Sequence, residues 1–126
     1  MLASATAHFF LGTAKADEAR AFYGDVLGLE LVRDDQYGVV FRCGAGELTL
    51  SKLPEVKPAF YTALDWSVDD IEDVHDALRV RGVCFERFDG LVYDDHDTWT
   101  TPDGAARIAW FKDPDGHMLS ISERRS

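Results

Sequence analysis

The chain has 126 residues, 46% of them apolar, enough for one globular domain or two half-sized modules sharing a core. Its formal net charge of −10 would repel a phosphate backbone, which excludes nucleic acid as the expected partner. Its two cysteines, Cys43 and Cys84, have no CxxC spacing, so a structural zinc site is not expected and both read as reduced core residues of a cytoplasmic protein.

No stretch approaches the length of a membrane span, and the apolar run His8 to Leu11 is too short for a signal peptide. Ala5 to Thr13 reads as a first strand. Alternation places Thr6, His8, Phe10 and Gly12 on one face and Ala7, Phe9 and Leu11 on the other. Thr13 is positioned to cap a helix whose apolar residues fall at Ala16, Ala19, Phe22, Tyr23, Val26 and Leu27. Asp17 and Glu18 suit its first turn, and Gly28 ends it in the left-handed conformation. Strands follow over Leu29–Arg33, Tyr37–Cys43 and Glu47–Leu53, and Pro54 to Pro58 reads as a linker.

The plan then repeats. Tyr61–Val68 reads as a strand, Asp69 as a cap, and Asp70–Arg81 as a helix with Ile71, Val74, Ala77 and Leu78 on its apolar face and Gly82 at its end. Val83–Phe88 and Arg107–Lys112 read as strands, with Asp89–Thr101 a longer loop or irregular strand. Pro114, Asp115 and Gly116 make a tight turn, with Asp115 able to bond its own backbone and Gly116 supplying the positive φ. The final strand places Leu119 and Ile121 on one face and Met118, Ser120 and Ser122 on the other. The order is β-α-β-β-β twice, and Leu48-Thr49-Leu50-Ser51 answers Leu119-Ser120-Ile121-Ser122. The expected class is α+β, with two modules, 5–53 and 58–124, whose curved half-sheets enclose a cavity.

Ala21-Phe22-Tyr23-Gly24-Asp25-Val26-Leu27-Gly28-Leu29-Glu30-Leu31 early and Trp110-Phe111-Lys112-Asp113-Pro114-Asp115-Gly116 late, set in this element order, resemble the vicinal oxygen chelate superfamily. That superfamily holds glyoxalase I, extradiol dioxygenases, fosfomycin-modifying enzymes and bleomycin-resistance proteins. The resemblance implies paired βαβββ modules, usually in a homodimer, around a small-molecule site. Its motifs are structural and specify fold rather than activity. Metal-using members take one ligand from the first and one from the last strand of each module, in the pattern His, Glu, His, Glu. By the same resemblance, the equivalent positions are His8, then Thr49 or Glu47, then Ala63 and Ser120, and the internal repeat favours Thr49 over Glu47. Alanine has no donor, and Ser and Thr hydroxyls are poor ligands without a carboxylate beside them, so no divalent metal is expected at this site. Asp65, on the Ala63 face by alternation, is a possible substitute ligand.

His8 is the candidate catalytic residue, as a general base, but reads first as a core histidine or a hydrogen-bonding partner of a ligand. The candidate ligand-binding set is His8, Phe10, Thr49, Asp65, Trp99, Trp110 and Ser120, because aromatic walls with a few polar points are how ligand pockets are built. Asp94-Asp95-His96-Asp97 resembles a metal cluster but has no second convergent element in the sequence. It reads as a solvated loop that, beside Trp99, suits clamping a cationic or planar ligand. His75 reads as surface and His117 as exposed. Two function classes follow. One is a metal-free protein that binds, and by resemblance sequesters, an aromatic or cationic compound. The other, as the resemblance implies, is a lyase, isomerase or dioxygenase with an altered metal site or with His8 as base.

Overall fold

A computed structural model describes residues 1–125 and divides the chain into two compact units, Met1–Lys57 and one that begins at Pro58. In the first, β1 (Phe9–Thr13) lies parallel to β4 (Gly46–Lys52), which pairs antiparallel with β3 (Gly38–Cys43), and β3 with β2 (Leu31–Asp34). Parallel neighbours require a crossover, and α1 (Ala16–Ala21) begins it. Val39, Phe41, Leu48 and Leu50 alternate toward this helix and are buried with Ala19 and Tyr23. The single α-helix expected over Ala16 to Leu27 instead widens into a π turn over Phe22–Val26, in which the Leu27 N–H reaches the Phe22 carbonyl at 2.9 Å. The wider turn sets the buried Tyr23 ring 6.1 Å from Phe41, and a side chain at Gly24 would meet the Phe41 ring at 3.4 Å. Thr13 lies two residues before the cap position of the helix proper, Lys15, and takes the Lys15 N–H at 3.1 Å.

In the second unit β5 (Thr62–Ser67) is parallel to β9 (Met118–Arg124), and β9 is antiparallel to β8 (Ala106–Lys112). The short strands β6 (Phe85–Glu86) and β7 (Trp99–Thr100) both pair with β8. The crossover is α2 (Ile71–Val80), capped by Asp70 rather than Asp69: Asp70 is the extended residue, and its carboxylate takes the Asp73 N–H at 3.2 Å. The Ile71 N–H, another donor without a helical partner, goes to Glu123 Oε1 on β9 at 3.1 Å and ties helix to sheet. Leu119, Ile121, Ala109 and Phe111 form the buried sheet face, with Ile71 and Leu78 buried on α2. The fold is therefore α+β, with two open mixed sheets and few helices. Among the described residues no helix is long and apolar enough to cross a membrane.

The turn before β9 departs from expectation in one residue. Gly116 has φ 90° and its N–H reaches the Asp113 carbonyl at 3.0 Å, but it is Asp113, not Asp115, that organises the loop. The Asp113 carboxylate takes the N–H groups of Asp115 and His117, each at 2.9 Å. The hairpin closes with the Asp113 N–H on the His117 carbonyl, so His117 is packed into the end of the ladder and is buried rather than exposed. The cysteines move the other way. Cys43 is half-buried and Cys84 exposed, because one ends β3 at a turn and the other sits in the connection between α2 and β6.

Asp89 to Thr101 is anchored to the second unit by charge. Asp94 accepts bonds from the Thr98 hydroxyl, from the N–H groups of Thr98 (3.0 Å) and His96 (2.9 Å), and from Arg107 (3.0 Å). Arg107 also bonds Glu72 on α2 at 2.9 Å. Partial burial pushes the Asp94 carboxyl up, but the Thr98, Arg107 and His96 donors outweigh it and hold the pKa well below the usual carboxylate range. A carboxyl lowered in the folded chain contributes stability above its unfolded pKa of about 3.9, and that contribution disappears as pH falls toward the folded value. Thermal unfolding followed from about pH 6 to about pH 3 is therefore expected to show falling stability, with a shallower fall in Asp94→Asn. Asp94→Ala should cost about 1–2 kcal/mol near neutral pH by chemical denaturation, the partial exposure of the pair keeping the loss modest.

Candidate functional site

On the side of the first sheet opposite α1, β1 and β4 set His8, Phe10, Glu47 and Thr49 around a concavity of about 380 Å³ that Val40 and Arg33 also line. Register explains the grouping: Phe10 pairs with Thr49, and Thr49 with Val40. His8 precedes the paired part of β1, and its Nδ1 accepts the Glu47 N–H at 3.1 Å. In a neutral imidazole that bond places the ring proton on Nε2, which faces outward as a donor. The Glu47 carboxylate is 3.8 Å from Arg33 Nη2. Phe10 is 69% exposed, a large apolar surface on a face otherwise marked by polar groups.

The corresponding face of the second sheet carries Asp65, Ser120, Trp110 and Trp99. Asp65 pairs with Ser120, Ser120 with Trp110, and Trp99 with Ile108, so all four side chains stand on one side of the sheet. The buried hydroxyls of Ser120 and Ser122 donate to the two oxygens of Asp65, at 2.6 and 2.7 Å. Arg124 Nη2 lies 4.0 Å from the same carboxylate. The Trp110 ring is 6.1 Å from Trp99 and 5.4 Å, edge to face, from Phe88. Its indole N–H donates to the Thr62 hydroxyl at 3.0 Å.

Thr62 shows what alternation alone missed. Strict period two places it opposite Ala63 and Asp65, on the helix side. The β5–β9 register shifts between Thr62 and Leu64, with Thr62 pairing with Met118 and Leu64 with Leu119. Ala63 is the extra residue of this bulge, and Thr62 returns to the Trp110 face. A single strand read without its partner contains no signal for such a bulge. Ser122 was legible by alternation as a member of this face, whereas Phe88 lies beyond β6 and reaches Trp110 only through tertiary packing.

Set against the four-ligand metal pattern, the donors do not fit. The His8 Nδ1 is taken by a backbone N–H, Thr49 offers a hydroxyl, Glu47 offers a carboxylate that lies 3.8 Å from Arg33, Ala63 offers nothing, and the Ser120 proton is given to Asp65.

A family model, the Glyoxalase/Bleomycin resistance protein/Dioxygenase superfamily, matches residues 5–121. Among solved structures, the chain is similar to a member of that superfamily from Sphaerobacter thermophilus, with 24% identity, a TM-score of 0.74, and 98% of this chain and 100% of that one covered. It is similar to the glyoxalase family protein of Enterococcus faecalis at 23% identity, with a TM-score of 0.74 and coverage of 98% and 100%. It is also similar to lactoylglutathione lyase of Agrobacterium tumefaciens at 22% identity, with a TM-score of 0.72 and coverage of 95% and 93%. At these identities the likeness is one of fold. No curated protein matches the chain.

Asp65 is the acceptor for two buried hydroxyls, so its removal leaves both without that partner. Asp65→Ala should lower unfolding free energy by about 1–3 kcal/mol in urea titrations, and Asp65→Asn, which keeps one acceptor oxygen, by less.

Proposed function

Because the chain belongs to the Glyoxalase/Bleomycin resistance protein/Dioxygenase superfamily, we propose that it is a small-molecule-binding member that holds, and thereby sequesters, an aromatic or cationic compound without a metal at the family position. The observation that carries this reading is the Trp110 face. An indole flanked by Trp99 and Phe88 offers a planar ligand a stacking surface. Two strand spacings away, about 10 Å, Asp65 offers a carboxylate to a cationic group. Arg124 partly balances that charge, so the site favours delocalised cations, whose weaker hydration costs less to strip, over compact ones. The first unit carries a candidate face of its own, where His8 Nε2 serves as a donor to a ligand oxygen and Phe10 as apolar contact. A resistance role by sequestration and assembly as a homodimer belong to the same reading.

The alternative, an enzyme of this superfamily with His8 as general base, is less well supported. With Nδ1 engaged by the Glu47 N–H, neutral His8 has its proton on Nε2 and no outward lone pair to accept one. The fold-level likeness to lactoylglutathione lyase adds no residue that fills the base role.

Titration with a planar aromatic cation such as proflavine should quench indole fluorescence and raise Tm. Trp110→Ala should weaken binding about tenfold, equivalent to about 1.4 kcal/mol of lost stacking. A panel of planar aromatics and cationic antibiotics that neither quenches nor raises Tm defeats the binding reading, since a ligand at about 100 times its Kd stabilises by about 2.7 kcal/mol. Chemical conversion of a bound compound, detected by mass spectrometry and lost in His8→Ala, establishes the enzyme instead.

A further inference from the structure

Away from both faces, α2 and the loop before β7 bring two imidazoles against one carboxylate. The sequence run Asp94-Asp95-His96-Asp97 does have a second convergent element, namely α2 with Glu72, His75 and Asp76. His75 is not a surface residue. It is fully buried, stacked 4.4 Å from the Phe85 ring, because the apolar stripe of α2 is wide enough to carry it inward.

The hydrogen bonds of His75 fix which nitrogen is available. Its Nε2 lies 2.7 Å from Asp97 Oδ2, and the other Asp97 oxygen accepts from Arg87 Nε at 2.8 Å. A carboxylate that bridges the Arg87 guanidinium and the His75 ring accepts from both, so Nε2 carries the ring proton, and in the neutral ring Nδ1 presents a lone pair. That lone pair faces Asp76 Oδ1 at 3.4 Å. From the loop, His96 Nε2 stands 3.5 Å from the same oxygen, while its Nδ1 lies 3.9 Å from Glu72 Oε1. Glu72 is itself held by Arg107 at 2.9 Å. Asp97 reaches its position only by adopting φ 55°, a conformation uncommon for a residue with a side chain.

These separations are long for hydrogen bonds and match a different geometry. Ligand atoms about 2.0–2.1 Å from a tetrahedral ion stand about 3.3–3.4 Å from one another. His75, Asp76 and His96 each offer one ligand atom within 4.8 Å of those of the other two. Each imidazole also has a carboxylate near its remote nitrogen, Asp97 for His75 and Glu72 for His96, as metal-ligating histidines commonly do. We propose that His75 Nδ1, Asp76 Oδ1 and His96 Nε2 bind a divalent transition-metal ion of the zinc class, clipping the loop to α2. Two imidazoles and one carboxylate suit zinc, nickel, cobalt or copper rather than magnesium or calcium. The Asp76 side chain is 64% exposed and that of His96 29%, so the ion enters from solvent and completes its shell with water. This site shares no residue with the family ligand positions and does not rest on the ligand-binding reading.

Untagged protein, stripped with chelator and dialysed, is titrated with Zn(II) by calorimetry and with Co(II) by visible absorption. Wild type is expected to bind one equivalent, to rise in Tm with Zn(II), and to show the ligand-field bands of cobalt held by nitrogen and oxygen. Asp76→Asn and His96→Gln, both at accessible positions, should each weaken binding at least tenfold while metal-free melts report an intact fold. His8→Gln should bind as wild type does. Equal affinity in wild type, Asp76→Asn and His96→Gln, or a loss confined to His8→Gln, overturns the assignment and leaves the cluster an ionic staple between loop and helix.

Discussion

Each unit is built on a parallel pair, β1 with β4 and β5 with β9. A hairpin cannot close such a pair, so the chain must cross over, and in both units it does so with a helix. The helix covers one side of its sheet and takes the large apolar residues with it. Ala19 and Tyr23 lie over Val39, Phe41, Leu48 and Leu50, and Ile71 and Leu78 belong to the core of Leu119 and Ile121. The other side is thereby left to residues chosen for something besides core packing. His8, Phe10 and Thr49 occupy it in one unit, and Asp65, Ser120 and Trp110 in the other.

Charge performs a second task that composition disguised. An excess of acidic residues suggests a solvated surface, yet several carboxylates serve as fixed acceptors. Asp113 shapes the turn before β9, Asp94 collects its loop, Asp70 caps α2, and Asp34 holds Arg20 and Lys52 together. Each accepts donors that would otherwise seek water, and loops without much apolar content are ordered by them. The same economy supplies the α2–loop cluster, where Asp97 and Glu72 orient rings rather than fill space.

Much of this was legible. The two-fold element order, the glycine stops at Gly28 and Gly82, and the face shared by Ser120 and Ser122 all follow from period and turn chemistry. What was not legible depends on partners distant in sequence. The fate of His75 turned on Phe85 and Asp97, ten and twenty-two residues further on. The π turn at Phe22–Val26 keeps apolar residues near helical spacing and so is invisible to periodicity. In the candidate site, Trp99 and Trp110 meet because β7 pairs with β8, a strand too short for sequence to announce.

The bulge at Ala63 bears on how this face can change. Thr62 already pairs with Met118 and Leu64 with Leu119, so the ladder on either side is complete without the residue between them. Losing Ala63 leaves a regular strand with Thr62 still beneath the Trp110 indole and Asp65 still beside Ser120. Losing one residue elsewhere within β5 flips every side chain between the break and the strand end. Along β5, then, loss of a residue preserves the face at one point and inverts it at the others.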